Sequence, residues 1–475
     1  MPGQLAINPN KAGCSLRVVI VGGGLAGIAL SFTLQRAGHV VTVMERSDGS
    51  SRSLTGIRSP PNMTRILNHW GLGPRLAKTA VKCPEFLFHQ ANGEVLGAIP
   101  LHEDFLRDLM ADFLFLQHGE LKTMLLSLAT REGVEFRYNT EVEAVDGDAV
   151  SVRLSSGETV YADIVIGADG PDSKVRNLVA GETILGEKDG NMSLTMAIPT
   201  DRMRDDEDLR ALTQGGKWWV WLGPNLLFHG SLISGGKLFS IVIGLRDVEP
   251  EKIAKYEESW ENEYDINEFG IDWSAYDIRV QKMMKLVEKV TAIAHVKRPI
   301  LESCVCDQAR IVIVGEAAHP LVPTGQHGTG LVIEDAETMG ALFSRIQNRS
   351  QIPRMLSAYE ELRQTRCNHA QDYEGRKRHM LSAPTGPQQK ARDERIRRTA
   401  AFQGDWAHLD EARFMAMWGD EIHMFSYSST ESVQDWFSKW GGLALAPKSG
   451  KLDPISPTVE VNISSGHPRP TRKLS

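Results

Sequence analysis

"RVVIVGGGLAGIALSFTLQRAGHVVTVME", Arg17 to Glu45, is the stretch whose reading decides the fold of this chain. Leu16 to Val21 is an apolar, largely β-branched run, the pattern of a buried parallel strand. Leu25 to Ala37 has helical spacing, with Leu25, Ile28, Ala29, Phe32 and Leu34 near one face, and Gly38 ends it. Val40 to Met44 reads as a second strand, closed by Glu45, so the segment opens a βαβ unit. Between strand and helix, Gly22, Gly24 and Gly27 form G-x-G-x-x-G. Gly22 permits the tight turn, Gly24 lets backbone approach a pyrophosphate, and Gly27 lets the helix pack close, while the helix N-terminus stabilises negative charge. Glu45 can accept hydrogen bonds from both hydroxyls of an adenosine ribose. Strand, helix and acid at this spacing predict dinucleotide binding, without saying which dinucleotide.

The rest of the composition is that of an ordinary globular protein: 41% apolar, 24% charged, over 475 residues, enough for more than one domain. A formal charge of -7 argues against a nucleic-acid partner. The five cysteines, Cys14, Cys83, Cys304, Cys306 and Cys367, are too few and scattered for a disulfide framework. Cys304 and Cys306 alone cannot build a zinc site, so buried thiols and no metal are expected. The most apolar window, Val18 to Leu34, is nearly long enough to span a membrane, but its glycine cluster reads as strand, turn and helix. Met1 to Ser15 lacks a compact charged start and a small-residue cleavage pattern, so the expected compartment is the cytoplasm.

Working outward, residues 1–15 are expected to be a flexible arm. Pro60 to Trp70 carries helix-start chemistry and stops at Gly71, and Glu120 to Glu132 reads as another helix. Val134 to Ala168 alternates like a strand meander. From about Gly181 to Leu301 the character changes: "KWWVWLGPNLLFHGSLISGGKLFSIVIGLRD", Lys217 to Asp247, predicts an antiparallel sheet whose tryptophans read as core. Arg310 to Val314 is again a strand, followed by a Gly/Pro loop and a helix from about Gly330 to Ile346. After Gly375 the chain is charged and helical, and residues 447–475 are expected to be a disordered tail.

Two later segments narrow the reading. "DIVIGADGPDSKVR", Asp163 to Arg176, resembles the GADG signature of single-component (group A) flavoprotein monooxygenases. "RIVIVGEAAHPLVPTGQHGTGLVIEDA", Arg310 to Ala336, resembles their second FAD fingerprint. With Glu45 and "GIRSPPNMTRIL", Gly56 to Leu67, the resemblance spans about residues 16 to 375 and is nearest the fungal salicylate-hydroxylase-like branch. It implies a p-hydroxybenzoate-hydroxylase-like α/β fold: a Rossmann-like FAD-binding domain (16–180 and 302–375), an inserted β-sheet substrate domain (181–301) and a helical C-terminal region (376–446). By the same resemblance FAD contacts fall to Gly22, Gly24, Gly27, Glu45, Arg46, Gly56, Arg58, His118, Asp169, Gly170 and Glu316. Gly328, Thr329, Gly330 and Leu331 would bring a helix N-terminus to the flavin's pyrimidine end. Pro323 would sit at the flavin's reacting edge. His319 and His327 read as hydrogen-bonded loop residues.

Three departures from the family matter. Glu316 stands where Asp is usual, its arm one methylene longer. His118 in "QHGEL" stands where an FAD-contacting Arg is usual, which predicts weaker FAD binding. Leu194, Thr195 and Ser231 replace the Tyr-Arg pair and Tyr that hold phenols in some fungal relatives. On "LFHGSLI" the residues Leu227, His229, Ser231 and Ile233 share one face. His229 and Ser231 are therefore expected to be the polar contacts of a mainly apolar pocket, the alternative being a face packed on another sheet.

The implied activity is monooxygenation with FAD, NADPH or NADH as co-substrate, and O2, through a flavin C4a-hydroperoxide. The expected substrate is a small aromatic or prenylated aromatic compound of secondary metabolism, and the outcome hydroxylation. Alkene epoxidation is the nearest alternative. "WVWLGP", Trp219 to Pro224, partly resembles a flavin-halogenase signature, and a flavin-binding protein without catalysis is the remaining reading.

Overall fold

The computed structural model describes residues 11–50, 53–400 and 411–445. Residues 1–10 of the expected arm and the expected tail from 447 lie outside them.

A five-stranded parallel sheet is built from β1 (Arg17–Val21), β2 (Val40–Met44), β3 (Glu135–Arg137), β4 (Ile164–Gly167) and β5 (Ile311–Ile313), in the spatial order β5-β4-β1-β2-β3. The central strand β1 sends Val18 and Ile20 into one apolar cluster and Val19 and Val21 into another. That two-sided burial is why its sequence is a continuous apolar run instead of an alternation. Helix α1 (Leu25–Arg36) is buried all round from Gly27 to Leu34, a wider surface than the single face predicted. The reason is two further helices packed against it, helix His118–Glu132 and α2 (Gly328–Phe343). There the Thr33 hydroxyl donates to the Ala336 carbonyl at 2.8 Å. A Cβ on Gly340 would stand 2.6 Å from Thr33 Cβ, so only glycine allows this approach.

The segment from Val134 to Ala168 is not one meander. Its first and last strands, β3 and β4, belong to the parallel sheet, and only Val142–Asp146, Ser151–Leu154 and Thr159–Tyr161 pair antiparallel as a separate three-stranded sheet. Local alternation cannot reveal partners that lie elsewhere in the chain. The helix predicted over Glu120 to Glu132 begins earlier, at His118, and ends on Gly133 in the left-handed conformation.

The third sheet has eight strands. Its order is Glu263–Asp265, Lys289–Lys297, Glu187–Pro199, Leu238–Leu245, Leu226–Ile233, Trp218–Gly223, Glu85–Gln90 and Val95–Pro100. The last two come from within the 16–180 segment. Glu85–Gln90 pairs parallel with Trp218–Gly223, and Phe86 packs edge-on against Trp218 at 5.0 Å, closing an otherwise open edge. One face of this sheet is a core of Leu194, Trp219, Trp221, Phe228, Ile241 and Ala292. The opposite face carries Ser193, Thr195, Trp218, His229, Ser231 and His295, in register across the strands. The tryptophans thus divide: Trp219 and Trp221 are core, as predicted, and Trp218 faces inward toward the cleft. Ile233 joins this inner face to Leu321 and Leu331, at the start of α2, in one apolar cluster.

Helix α3 (Ile352–Leu381) and the helices Pro387–Ala400, Glu411–Ser426 and Ser429–Leu445 follow. All five cysteines are free. Among the described residues no helix is long and apolar enough to cross a membrane.

Candidate functional site

The three glycines of the first loop occupy three different environments. Gly22 has φ +106°, and a Cβ there would lie 2.3 Å from the Ala168 carbonyl oxygen. A Cβ on Gly27 would lie 1.9 Å from the Gly22 carbonyl oxygen, so α1 can start this close to the turn only without a side chain. Gly24 instead faces open space, with nothing within 4 Å of a would-be Cβ. Gly170, at φ +80°, is equally open. Glu45 lies on the rim of this space. Its carboxylate accepts from the Gly23 N–H at 2.6 Å and the Ser47 N–H at 2.8 Å. Burial works against ionisation of Glu45, but the Ser47 and Gly23 hydrogen bonds and the Lys122 charge outweigh it, and its pKa falls below the usual 4.5. Arg46 is exposed just beyond.

Asp169 is occupied. Its carboxylate accepts from the Ser173 hydroxyl and from the Lys174 and Val175 N–H groups at 2.8 and 3.3 Å, at the start of helix Lys174–Ala180. Burial raises its pKa against those bonds. His118 opens helix His118–Glu132 with its N–H on the Thr55 carbonyl at 3.0 Å. Its Nδ1 is buried without a partner, and burial, with Lys122, lowers its pKa to about 4. The imidazole is therefore neutral at physiological pH and supplies no fixed charge.

The second loop is held by side chains from distant parts of the chain. Gly315, at φ +58°, donates to Asp335 Oδ2 at 2.9 Å, and His319 Nε2 meets the same oxygen at 2.6 Å. Arg363 Nε donates to Asp335 Oδ1 at 2.7 Å, and Arg363 and Arg366 also clamp Glu334. Burial opposes ionisation of Asp335, yet His319 and Arg363 outweigh it and its pKa falls. His319 is an ion-pair partner, a stronger anchor than a simple hydrogen-bonded loop residue. His319, Asp335 and Cys367 stand close enough to suggest a metal-ligand set, but Arg363 also reaches Cys367 and already supplies the positive charge there. Arg176 donates to the Ala317 carbonyl at 2.8 Å and to those of Ala318 and Pro299. Glu316 lies in this braced turn and is exposed. The surrounding protein mass raises its pKa, with His319 and Arg298 opposing. Arg298 itself bridges Asp172 and Glu258, each at 2.6 Å, and burial lifts Glu258 to about 7 despite that partner.

Pro323 and its neighbours meet the inner face of the sheet. Ser193 Oγ bonds Thr324 Oγ1 at 2.9 Å and His295 Nε2 at 2.8 Å. Thr324 takes φ +65°. Arg58 donates to the Thr324 carbonyl and, at 2.9 Å, to that of Gly325, and its guanidinium lies over the Trp218 ring at 5.5 Å. Burial lowers its pKa to about 10, so it stays cationic. His229 packs on the edge of the same Trp218 ring at 5.5 Å, and burial, reinforced by Arg58, keeps it neutral. Ser231 lies opposite Ser240, whose hydroxyl accepts from the Gly56 N–H at 3.1 Å. Thr195 contacts Thr55 at 3.4 Å, while Leu194 points into the outer core. Glu374 accepts from the Gln326 and His327 N–H groups at 2.7 and 2.8 Å. His327 is fully buried between Tyr373 and Phe425, with neither ring nitrogen hydrogen-bonded, contrary to the expectation of a hydrogen-bonded residue. Its packing against two aromatic rings leaves no acceptor within reach. Gly328, Thr329, Gly330 and Leu331 form the first turn of α2, whose N-terminus has no side-chain cap.

The first loop and Glu45 thus gather with the start of the second loop, where a Cβ on Gly315 would stand 3.0 Å from Ala26 Cβ, while Pro323, Arg58, His229 and Ser231 gather at the inner face of the eight-stranded sheet. Sequence reading missed the braces: Ser193, Arg298, Arg363, Arg366 and Glu374. Arg176 stood inside the quoted GADG motif, and the pair Arg363/Arg366 at i, i+3 was a legible signal of a shared helix face. Open space at Gly24 and Gly170, an acid on its rim and an uncapped helix N-terminus at the far end fit a dinucleotide that carries a pyrophosphate and an electron-accepting ring.

A family profile described as "FAD binding domain" matches residues 15–373. The chain is 24% identical over 409 residues to an FAD-dependent monooxygenase of Beauveria bassiana (strain ARSEF 2860), covering 85% of this chain and 94% of the relative. It is 26% identical over 381 residues to the hispidin-3-hydroxylase of Neonothopanus nambi, covering 76% and 88%. Among solved structures, CtdE in complex with FAD and a substrate superposes with TM-score 0.74 at 18% identity, over 90% of this chain and 99% of that one. A salicylate hydroxylase substrate complex gives 0.66 at 19% identity, over 92% and 99%. The chain belongs to the FAD-binding-domain family, and its cofactor is FAD.

Proposed function

We propose that this flavoprotein is a monooxygenase that uses NADPH or NADH and O2 to hydroxylate a small aromatic or prenylated aromatic substrate of secondary metabolism. Membership of the FAD-binding family across residues 15–373 carries this reading, because it spans both glycine loops and the sheet between them. In this reading residues 16–180 and 302–375 hold the cofactor, and 181–301, with the strands from residues 85–100, cover it.

When bound, FAD supplies the electron transfer from donor to oxygen, and the protein supplies orientation, dryness and electrostatics. Glu45 holds the adenosine ribose, and Gly24 lets backbone N–H groups reach the pyrophosphate. Gly56, Glu316 and the first turn of α2 hold the other end, where the helix dipole stabilises negative charge on the ring. Pro323 lies at the reacting edge, kept in place by Arg58 on one side and Ser193 on the other. His229 and Ser231 offer the substrate neutral polar contacts. Trp218, Phe86, Phe113 and Phe115 provide an aromatic wall that excludes water.

The experiment is a substrate-stimulated NAD(P)H-oxidation screen with purified, yellow holoenzyme across aromatic acids, phenols and prenylated phenols. Stimulated donor oxidation with an oxygenated product supports the reading. A chain that cannot be loaded with FAD, or whose flavin is not bleached by either donor, overturns it.

A further inference from the structure

A cavity of about 690 Å³ opens beside the adenosine end of the cofactor cleft. It lies between Gly49, Ser50, Ser53 and Leu54, helix Gly73–Thr79 and helix His118–Glu132, and its lining includes Arg75, Lys78, Glu120 and Lys122. Three cations against one carboxylate is an unusual concentration in a chain of net charge -7. Lys122 is engaged, donating to the Gly49 carbonyl at 3.0 Å. Arg75 and Lys78 are exposed to the cavity, and among the described residues neither has an ion-pair partner. Glu120 contributes a buried carboxylate oxygen, Oε2, that also lacks a hydrogen-bond partner. Free cations suit phosphate, and a free carboxylate oxygen suits a ribose hydroxyl. The two together match a phosphorylated nucleoside better than a simple anion.

The cavity also has the right neighbours. Lys122 is close enough to Glu45 to lower its pKa, so the adenosine end of FAD is adjacent but separately held. Leu54, on the cavity wall, leads directly into strand Gly56–Ser59, whose Arg58 meets the Pro323 loop. Leu54 to Arg58 spans roughly 13 Å of extended chain. A dinucleotide anchored in the cavity can lay its second base along that strand toward the reacting edge.

We propose that this cavity is the docking site for the adenosine-phosphate end of the nicotinamide donor, and that Arg75 and Lys78 make NADPH the preferred donor over NADH. The 2'-phosphate, which NADH lacks, adds close to two negative charges at neutral pH and is the group the two unpaired cations recognise. The inference rests on the reading that a nicotinamide donor reduces the FAD.

The test uses FAD-loaded full-length enzyme and the Arg75→Gln/Lys78→Gln double variant. In the wild type, KM for NADPH is expected to be lower than for NADH and to rise with ionic strength. In the variant, KM for NADPH rises on the order of tenfold or more, as expected for losing charge-assisted contacts to phosphate. KM for NADH, kcat and FAD content stay unchanged. The charge-keeping Arg75→Lys/Lys78→Arg variant retains most of the NADPH preference. Equal use of the two donors by the wild type, or an unchanged NADPH KM in the variant, overturns the proposal. Loss of FAD in place of NADPH affinity also overturns it, since the cavity would then serve the cofactor's own phosphates. Adenosine 2',5'-bisphosphate binding, followed by calorimetry, reads the cavity without turnover. Binding that the Gln variant weakens, in a protein that oxidises neither donor, supports the phosphate site and defeats the oxidoreductase reading instead.

Discussion

The two glycine-rich loops of this protein are built by opposite means. The first, Gly22 to Gly27, is shaped mainly by backbone contacts: Gly22 turns against the Ala168 carbonyl, and Gly27 packs on the Gly22 carbonyl. The second, Gly315 to Gly330, is shaped by side chains that reach it from positions 58, 176, 193, 363 and 374. One loop is set by close backbone contacts, the other is an assembly point for three distant segments and the sheet. In the proposed reading the first loop anchors the cofactor and the second carries its reacting end, so the reacting end is the one that depends on the whole tertiary structure.

The sharpest way to break this contrast is Gly27→Val. Overpacking costs about 1–3 kcal/mol even where side chains yield, and here the obstructing atom is backbone. Loss of soluble, FAD-loaded protein is expected, measured by the flavin-to-protein absorbance ratio. A yellow, stable Gly27→Val protein would mean that the first loop is not locally determined. The second loop should fail through a side chain. Asp335→Asn leaves Arg363 and His319 buried without their shared carboxylate, a change that costs about 3–5 kcal/mol. It should lower the thermal midpoint by several degrees. The pH dependence should change with it. The Asp335 pKa is depressed below 3.8, so its contribution is present above that pH and lost as pH falls through the lower folded value. The His319 pKa is raised above 6.5, so its contribution is full below 6.5 and lost as pH rises through the higher folded value. The wild-type melting midpoint should therefore decline on both flanks, and the Asn variant should be flatter.

Gly24→Ala tests the same loop as Gly27 at its open position. Nothing meets the added methyl group, so stability should stay within about 0.5 kcal/mol. FAD affinity should fall by about 1.5–3 kcal/mol, the worth of a hydrogen bond to a charged group, as the methyl displaces the pyrophosphate. An unchanged FAD dissociation constant would place the phosphates elsewhere. The smallest effect is expected from Glu316→Asp. This exposed side chain should move stability by less than about 0.5 kcal/mol. A modest tightening of FAD is expected if the longer arm strains its contact. Weakening would show that Arg176 and Arg298 have set the loop around glutamate.

Much of this was legible in the chain itself. The βαβ start and the shared face of His229 and Ser231 follow from period, glycine spacing and strand alternation, and FAD followed from the resemblance of two later segments to known fingerprints. Partners were not legible. Strands β3 and β4 looked like parts of one meander, because alternation reports which side of a strand is buried but not which strand lies beside it. Arg58 was readable as a cofactor-side residue, yet nothing local says that it bonds Thr324 and Gly325, more than two hundred and sixty residues away. Its position also explains why Pro323 can be held rigid in a Gly/Pro loop.

The amino-acid order alone announces the first loop, the central strand and the α1 start, because glycine spacing and apolar runs are local signals, and it announces the cofactor family through the resemblance of two later motifs to FAD fingerprints. The charge state of His319, the bracing of Glu316, the inward turn of Trp218 and the cation-lined cavity at Arg75 and Lys78 depend on surfaces that meet only when the chain is folded. Burial and long-range pairing set those properties, and neither is a function of local sequence.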